Sequence, residues 1–376
     1  MKTLICGPYP YKDQQIVGGV EAVIQNVKNG FNQYIPETDL HIASGSKHAT
    51  AIYETHQDVT YIKEPRIKLG SLFFSVYPHR LQHYLKTQHF DVLNAHSPDF
   101  AYYGLQIKEN LLFTLHGIIW EEKKFLPRYK QPLWHLLYVK KLNKIFKNLQ
   151  YFVAINPYAR HLVEPMTNAT IFDICNPVPD EYFHIPDHRE PNRMFYIGAI
   201  SKRKNLFTLI QALPRVKQEM KKFTLVIAGK IFDNDYFQQI QEFITHHDLT
   251  ENVEYIGKIS EKRKFEEFSK MSFLVLPSLQ ETAPMVISEA FAASKTVIGS
   301  NICGIPYMIN DGKNGFLIEP CDTKQLSDKI LHLFQNPTVS HSFGREARQF
   351  AKRTHALEKI VKDYKKAYDI ILSNHG

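Results

Sequence analysis

Short β-forming runs recur from one end of this chain to the other, with helix-like stretches between them. In the first half they are "KTLICG", "DLHIASG", "DVTYI", "FDVLNAHS", "NLLFTLHG", "LQYFVAIN" and "ATIFDICN". The second half has "RMFYIGAI", "FTLVIAG", "VEYIGKI", "SFLVLPS", "TVIGSN" and "GFLIEP". Several are apolar almost without interruption, as strands buried on both faces of a parallel sheet must be. Strand–helix alternation in both halves predicts an α/β protein of two doubly wound, Rossmann-like parallel-sheet domains. At 376 residues the chain is long enough to give each domain its own core. Between the halves, "NPVPDEYFHIPDHREPN" carries Pro177, Pro179, Pro186 and Pro191 and several charges. The predicted boundaries are 1–182 for the first domain, 183–192 for a linker and 193–355 for the second domain. The amphipathic stretch "LEKIVKDYKKAYDIIL", within 356–376, is expected to pack back on the first domain.

Composition narrows the setting. With 44% hydrophobic and 22% charged residues, the chain reads as globular rather than disordered. Cys6, Cys175, Cys303 and Cys321 are scattered and form no CxxC pair. That pattern points to a reducing compartment and away from a zinc site or a disulfide framework. The start, "MKTLICGPYPYK", is too short for a signal peptide, and no 18-residue apolar run exists, so a cytoplasmic location is expected. The formal charge of +8 is unevenly spread. Lys123, Lys124, Arg128, Lys130, Lys140, Lys141, Lys144 and Lys147 fall in a stretch without an acid. "PLWHLLYVKKLNKIFKNL" interleaves lysines with leucines and aromatics at helical spacing. Two readings stay open for residues 123–149: a basic amphipathic helix on an anionic membrane surface, or a surface helix with its apolar stripe in the core. No recognisable nucleic-acid module accompanies the charge, so nucleic acid is not expected as a partner.

In open α/β sheets ligands bind beyond the carboxyl ends of the strands, and the chemically suggestive residues gather there. "QETAPMVISEAF" places Glu281 in a strand-to-helix turn and Glu289 one to two turns inside the following helix. An acid near a helix start and an exposed glutamate beyond it would be the ordinary explanation. Gly18 and Gly19 precede a helix whose first N–H groups could approach an anion. His96 ends "VLNAHS" and His116 ends "LLFTLHG". Gly198 ends "MFYIG", and Lys202, Arg203 and Lys204 follow at the entry to a helix, a plausible diphosphate cradle. Each feature alone has an ordinary structural explanation, and their coincidence at one face is the signal.

These residues resemble a known family. The E-x7-E spacing from Glu281 to Glu289 is similar to the signature of retaining glycosyltransferases of family 4 (glycosyl transferases group 1), which have the two-domain GT-B architecture. "YIGAISKRKNLFTLIQAL", "LVLPSLQETAPMVISEAFAASKTVIGS" and "GIPYMINDGKNGFLIEPCD" carry the resemblance, which is strongest over residues 194–322. It implies two domains facing each other across a cleft, the first taking the acceptor and the second the nucleotide-sugar donor. It also implies that Glu289 accepts hydrogen bonds from the ribose hydroxyls and that Glu281 lies by the donor sugar. The backbone at Ala283, Pro284, Met285 and Val286 would face the diphosphate and sugar, with Gly198 and the Gly18–Gly19 loop also near the donor. Lys204, helped by Arg203, would neutralise the departing diphosphate, and His116 would contact the donor sugar. The family implies retention of configuration and no bound metal or other cofactor beyond the nucleotide-sugar co-substrate.

Two departures stand out: Ala199 where many members have arginine, and Pro284 where many have glycine, which removes an N–H. "FDNDYF" imitates an Asp-x-Asp metal motif but reads as a surface loop. The resemblance implies transfer of a hexose-type sugar to a carbohydrate or lipid-linked acceptor, in cell-surface polysaccharide or glycolipid synthesis. The alternatives are a nucleotide-sugar epimerase of the same architecture, a two-carboxylate glycoside hydrolase, or a non-catalytic sugar-binding scaffold.

Overall fold

The computed structural model describes residues 1–374 except 13, 17, 65–69, 108–109 and 126–138, and the side chains of 70–78, 119, 122 and 123 are also outside the description. The chain divides into two units. One is Met1–Pro177 with Leu357–Gly376, and the other is Val178–Ala356.

The first unit is built on an eight-stranded sheet in the order β3-β4-β2-β1-β5-β6-β7-β8. Its strands are β1 (Lys2–Cys6), β2 (Asp39–Ser46), β3 (Tyr53–His56), β4 (Val59–Lys63), β5 (Val92–Ala95), β6 (Leu111–Thr114), β7 (Tyr151–Ala154) and β8 (Thr170–Asp173). All neighbours are parallel except β3 and β4. β3 answers to none of the apolar runs. Its sequence, YETH, has little to bury, and it exists by hairpin pairing with β4 across a turn in which Gln57 takes a left-handed conformation.

The second unit has six parallel strands in the order β11-β10-β9-β12-β13-β14. They are β9 (Arg193–Ile197), β10 (Thr224–Ala228), β11 (Val253–Tyr255), β12 (Phe273–Leu276), β13 (Thr296–Ser300) and β14 (Gly315–Ile318). Side chains alternate between two cores. Met194 and Tyr196 join Leu225, Ile227, Phe273 and Val275 on one face. Phe195 joins Val226, Leu274, Leu276 and Val297 on the other. Filling both faces explains the unbroken apolar runs, and each large side chain so buried contributes about 1.5–3 kcal/mol.

Residues 183–192, expected as a linker, lie on the second unit instead. Tyr182 and Phe183 are buried in its core. The N–H groups of His188 and Glu190 donate to the carbonyls of Ser269 (3.1 Å) and Lys270 (2.8 Å), and Asp187 pairs with buried Lys295 at 2.6 Å. After the 3₁₀ turn Asp180–His184 the prolines keep the backbone irregular without preventing packing.

The helix Leu357–Ser373 belongs to the first unit. It buries Leu357, Ile360, Val361, Tyr364, Ala367, Tyr368 and Ile371. At Gly30, in the helix Gly19–Tyr34, an added Cβ would meet Val361 Cγ1 at 2.6 Å and Leu357 Cδ1 at 2.7 Å, so glycine permits the close crossing. Tyr368 stacks on Phe31 (centroids 5.9 Å apart), and its hydroxyl accepts from Asn94 Nδ2 at 2.9 Å.

The basic stretch contributes the helix Lys140–Asn148, while residues 126–138, Arg128, Lys130 and Trp134 among them, lie outside the described residues. Leu142, Ile145, Phe146 and Leu149 are buried in the first unit's core. That apolar stripe is therefore already used, and insertion into a membrane through it is ruled out over 140–149. Lys141 pairs with Asp99 and lies over the rings of Tyr102 and Tyr103, while Lys140, Lys144 and Lys147 are exposed. No described helix is long and apolar enough to cross a membrane.

Candidate functional site

The suggestive residues of the second unit meet where β9 and β12, neighbours in the sheet, come to their carboxyl ends. Gly229 has φ +153°, and a Cβ there would lie 1.8 Å from the carbonyl oxygen of Gly198. Only glycine lets the loops after β9 and β10 close this tightly. A Cβ on Gly198 would lie 3.9 Å from Lys204 Cδ, so this glycine borders the lysine stem. Lys202–Lys204 form a single 3₁₀ turn, and Asn205 follows in the left-handed region. Asn205 Nδ2 donates to the carbonyl of Pro277 at 3.0 Å, and its Oδ1 accepts from Thr208 Oγ1 at 3.0 Å. The turn is thereby fastened to the end of β12.

From that turn Lys204 reaches across 77 positions of sequence to form an ion pair with Glu281. Ser278 Oγ donates to the same carboxylate oxygen at 3.0 Å, and the Glu281 carbonyl accepts from the N–H of Gly304 at 2.9 Å. Arg203 donates through one guanidinium nitrogen to the carbonyl (3.1 Å) and Oε1 (3.0 Å) of Gln280, and its own carbonyl accepts from Leu279 N–H at 2.9 Å. Ser278, Gln280 and Glu281 are all buried. Lys204 is paired with Glu281 while Arg203 is braced on Gln280, so the group holds more cations than carboxylates, and the surplus positive charge suits an anionic ligand.

Glu289 sits in the second turn of the helix Met285–Ala292, which begins directly after Pro284. Proline lends no N–H there, and of the first-turn donors that lack an intrahelical acceptor, those of Met285 and Val286 come next after Ala283 and Pro284. Glu289 is buried, which removes the reading of it as an exposed helix residue. Its Oε1 accepts from Lys264 Nζ at 3.2 Å. Burial alone works against the Lys264 charge. Glu289 and Glu261 outweigh it, and the lysine's pKa lies above the ordinary value. Burial, with Glu289 and Glu261 nearby, likewise pushes the neighbouring Tyr182 hydroxyl far above its ordinary range. Glu281 and Glu289 thus have separate cationic partners.

Gly18, Gly19 and His116 belong to the first unit. A Cβ on either glycine would meet nothing within 4 Å, so the backbone is open to approach. The N–H of Gly18 donates to Glu21 Oε2 at 3.3 Å, however, and that carboxylate stands at the helix start where an anion would bind. His116 is half-buried and stacked on buried His96, with centroids 4.9 Å apart and His96 Nδ1 2.7 Å from His116 Nε2. Burial and then the His116 ring pull His96 well below the usual imidazole pKa, and burial pulls His116 down to about 4. Two neutral rings share this bond as one donor and one acceptor, which leaves Nδ1 of His116 for any ligand.

The pair makes stability pH-dependent with a definite sign. Between the ordinary imidazole value of about 6.5 and the folded value of about 4, the unfolded chain binds protons that the folded pair refuses. Stability is therefore full above this window and lost as pH falls through it. The urea midpoint is expected to drop across the window, and to drop less steeply in His96→Phe/His116→Phe. Equal slopes in the two proteins would refute the assignment.

Asp233, from the Asp-x-Asp look-alike, is the N-cap of the helix Asn234–His246, accepting from Tyr236 N–H at 3.0 Å. Among the described residues no cluster of three His, Cys, Asp or Glu could hold a metal ion. Sequence reasoning passes over Asn205, Ser278, Gln280 and Lys264. Gln280 opens the very stretch that draws attention to Glu281 and Ser278 lies two positions before that stretch, and this proximity is the one signal that could have marked them.

Residues 180–350 match the family described as glycosyl transferases group 1. An uncharacterized glycosyltransferase of Methanocaldococcus jannaschii is 27% identical over 222 residues, covering 59% of this chain and 60% of the relative. The N-acetyl-alpha-D-glucosaminyl L-malate synthase of Bacillus anthracis is 25% identical over 179 residues, 48% of this chain and 45% of the relative. The chain thus spans less than two thirds of the length of these relatives. Among solved structures, sucrose-phosphate synthase from Thermosynechococcus elongatus superposes with a TM-score of 0.81 at 14% identity, over 99% of both chains. Anabaena HepE in complex with UDP and glucose gives 0.74 at 16%, over 98% of this chain and 99% of that one. The fold is therefore that of the GT-B glycosyltransferases, two Rossmann-like α/β units, and across most of its second unit the chain matches glycosyl transferases group 1.

Proposed function

We propose that this protein is a glycosyltransferase that moves a hexose-type sugar from a nucleoside diphosphate to an acceptor hydroxyl. The observation that carries this reading is the cluster at the ends of β9 and β12, where Lys204 and Arg203 gather beside Glu281. Transfer breaks the bond between the sugar's anomeric carbon and the diphosphate oxygen, and the leaving diphosphate takes the electron pair. The acceptor oxygen bonds to the anomeric carbon, and its proton passes to a phosphate oxygen. Charge grows on the diphosphate as the bond breaks, so fixed cations contribute most at the transition state. Same-face attack assisted in this way retains the anomeric configuration and calls for no metal. A uridine nucleotide is favoured as the donor because the HepE structure was solved with UDP and glucose. The acceptor is a carbohydrate or a lipid-linked sugar of cell-surface polysaccharide or glycolipid synthesis. The exposed face of Lys140, Lys144 and Lys147 would meet an anionic membrane by charge alone.

The hydrolase reading loses ground. A glycosidase needs two carboxylates free to flank the scissile bond, and a neutral glycoside gives Lys204 and Arg203 no task, whereas a diphosphate gives them one. Here each glutamate has its own lysine.

A thermal-shift series with UDP, GDP, ADP and CMP tests the reading. A nucleotide at 100 times its dissociation constant adds about 2.7 kcal/mol, a rise of roughly 5–10 °C for a unit of this size. If none of the four raises the midpoint, the nucleotide-donor reading fails.

A further inference from the structure

Lys264 has no part in the donor reading as it stands. It lies in the helix Glu261–Lys270, whose N-cap Ser260 accepts from the N–H of Arg263 at 3.2 Å. Its side chain is only 13% exposed, and its ammonium sits 3.2 Å from Glu289 Oε1 and 3.1 Å from Glu261 Oε2. The ammonium also lies 5.2 Å from the ring centroid of Tyr182, whose hydroxyl donates to Glu261 Oε2 at 3.0 Å. A continuous row therefore runs Tyr182, Glu261, Lys264, Glu289, drawn from three separate stretches of chain.

Stability alone accounts poorly for such a row. Desolvating a lysine and a glutamate costs several kcal/mol, and apolar side chains of similar volume commonly do as well. The geometry is instead suited to holding one carboxylate still. Lys264 occupies a single lone-pair direction on Oε1 of Glu289, and an ionised carboxylate has about four. The Tyr182 hydroxyl also interacts with this carboxylate, and the directions left over are enough for two adjacent hydroxyls. Glu261, whose side chain is 63% exposed, and the hydroxyl of Tyr182 hold the lysine from its far side.

We propose that Lys264 is a positioning residue for Glu289, locked in place by Glu261 and Tyr182, so that the site reads the 2′,3′-diol of a ribonucleotide and rejects nucleotides lacking it. The inference rests on the donor reading given above. Glu289 makes the contact with the diol, and Lys264 acts through it.

The test uses the full chain, with UDP, GDP and ADP and the 2′,3′-dideoxy counterpart of whichever binds. The wild type is expected to bind the ribonucleotide at least roughly tenfold more tightly than the dideoxy form. Lys264→Gln should weaken ribonucleotide binding by roughly fivefold and leave dideoxy binding within about twofold. Lys264→Arg, which keeps the charge, should recover most of the loss. Tyr182→Phe removes only a hydroxyl and keeps the buried ring, so it tests the row even if Lys264→Gln fails to fold. It should give a smaller loss, again confined to the ribonucleotide. Equal losses on both nucleotides would mean that Lys264 touches base or phosphate directly, and no loss on either would make the row structural. Each result overturns the inference and leaves the donor reading standing. If the wild type binds none of the three diphosphates, the donor reading falls and this inference with it.

Discussion

Replacing Lys204 with alanine is expected to lower turnover roughly 10²- to 10³-fold while raising the donor Michaelis constant much less. In the proposed reaction the ammonium faces a diphosphate whose charge grows as the sugar leaves and is fully ionic once it has left. A loss of that kind belongs to the transition state. The substitution also deprives buried Glu281 of its ion pair, leaving the Ser278 hydroxyl on that oxygen. A lower melting point should therefore accompany the lower rate, and Lys204→Arg separates the two by keeping the charge. Arg203→Ala should cost less, because the guanidinium is braced against Gln280 rather than paired with the carboxylate. Steady-state kinetics on both variants decide the matter. A larger loss from Arg203→Ala would mean that Arg203 does the work of the arginine absent at Ala199. Unchanged rates in both would place the diphosphate elsewhere.

Glu289→Ala is expected to weaken donor binding by roughly 10- to 100-fold. Hydrogen bonds to a charged acceptor are worth about 1.5–3 kcal/mol each, and water recovers part of that. The loss should appear in binding of the nucleoside diphosphate itself, with no sugar attached, as measured by calorimetry. Removal of Glu289 leaves Lys264 with Glu261 as its remaining carboxylate partner, so a loss of stability should accompany the weaker binding. Glu289→Gln, which keeps the shape, is therefore the companion variant, and it should bind more weakly than wild type while melting closer to it than Glu289→Ala does. Undiminished nucleotide binding in a folded Glu289→Ala protein would remove the ribose assignment.

The parallel strands are plain in the amino-acid sequence because a strand covered on both faces has nowhere to put polar residues. Val226 and Ile227 go to opposite cores, so neither can be polar. β3 escapes notice for the opposite reason, since an edge strand that packs only Tyr53 on the core and is otherwise held by pairing and polar contacts needs no run of apolar residues. Residues 183–192 mislead because prolines and charges mark irregular backbone, and irregular backbone can pack as firmly as a helix when Tyr182 and Phe183 anchor it. The site is legible where its residues are close in sequence, as in Gln280–Glu289, and opaque where they are brought together by the sheet. Nothing local to Lys204 points to Glu281. Their meeting follows from β9 and β12 being neighbours, a property of strand order rather than of either segment. Lys264 is more opaque still, because on a charged helix such as "EKRKFEEFSK" a mostly covered lysine looks like its exposed neighbours.

The return of the helix Leu357–Ser373 to the first unit has a consequence for the order in which the chain acquires structure. Closing so long a loop is cheap at equilibrium, since each doubling of its length costs only about 0.6 kcal/mol. In time it is expensive. The ribosome adds about 5–20 residues per second, so on the order of ten seconds or more passes between synthesis of Pro177 and arrival of the helix. The second unit, whose residues are contiguous, needs nothing synthesised after Ala356 to complete itself. The first must wait, and the groove along Gly30 and Phe31 stays open to water and to other nascent chains until Val361 and Tyr368 arrive to fill it.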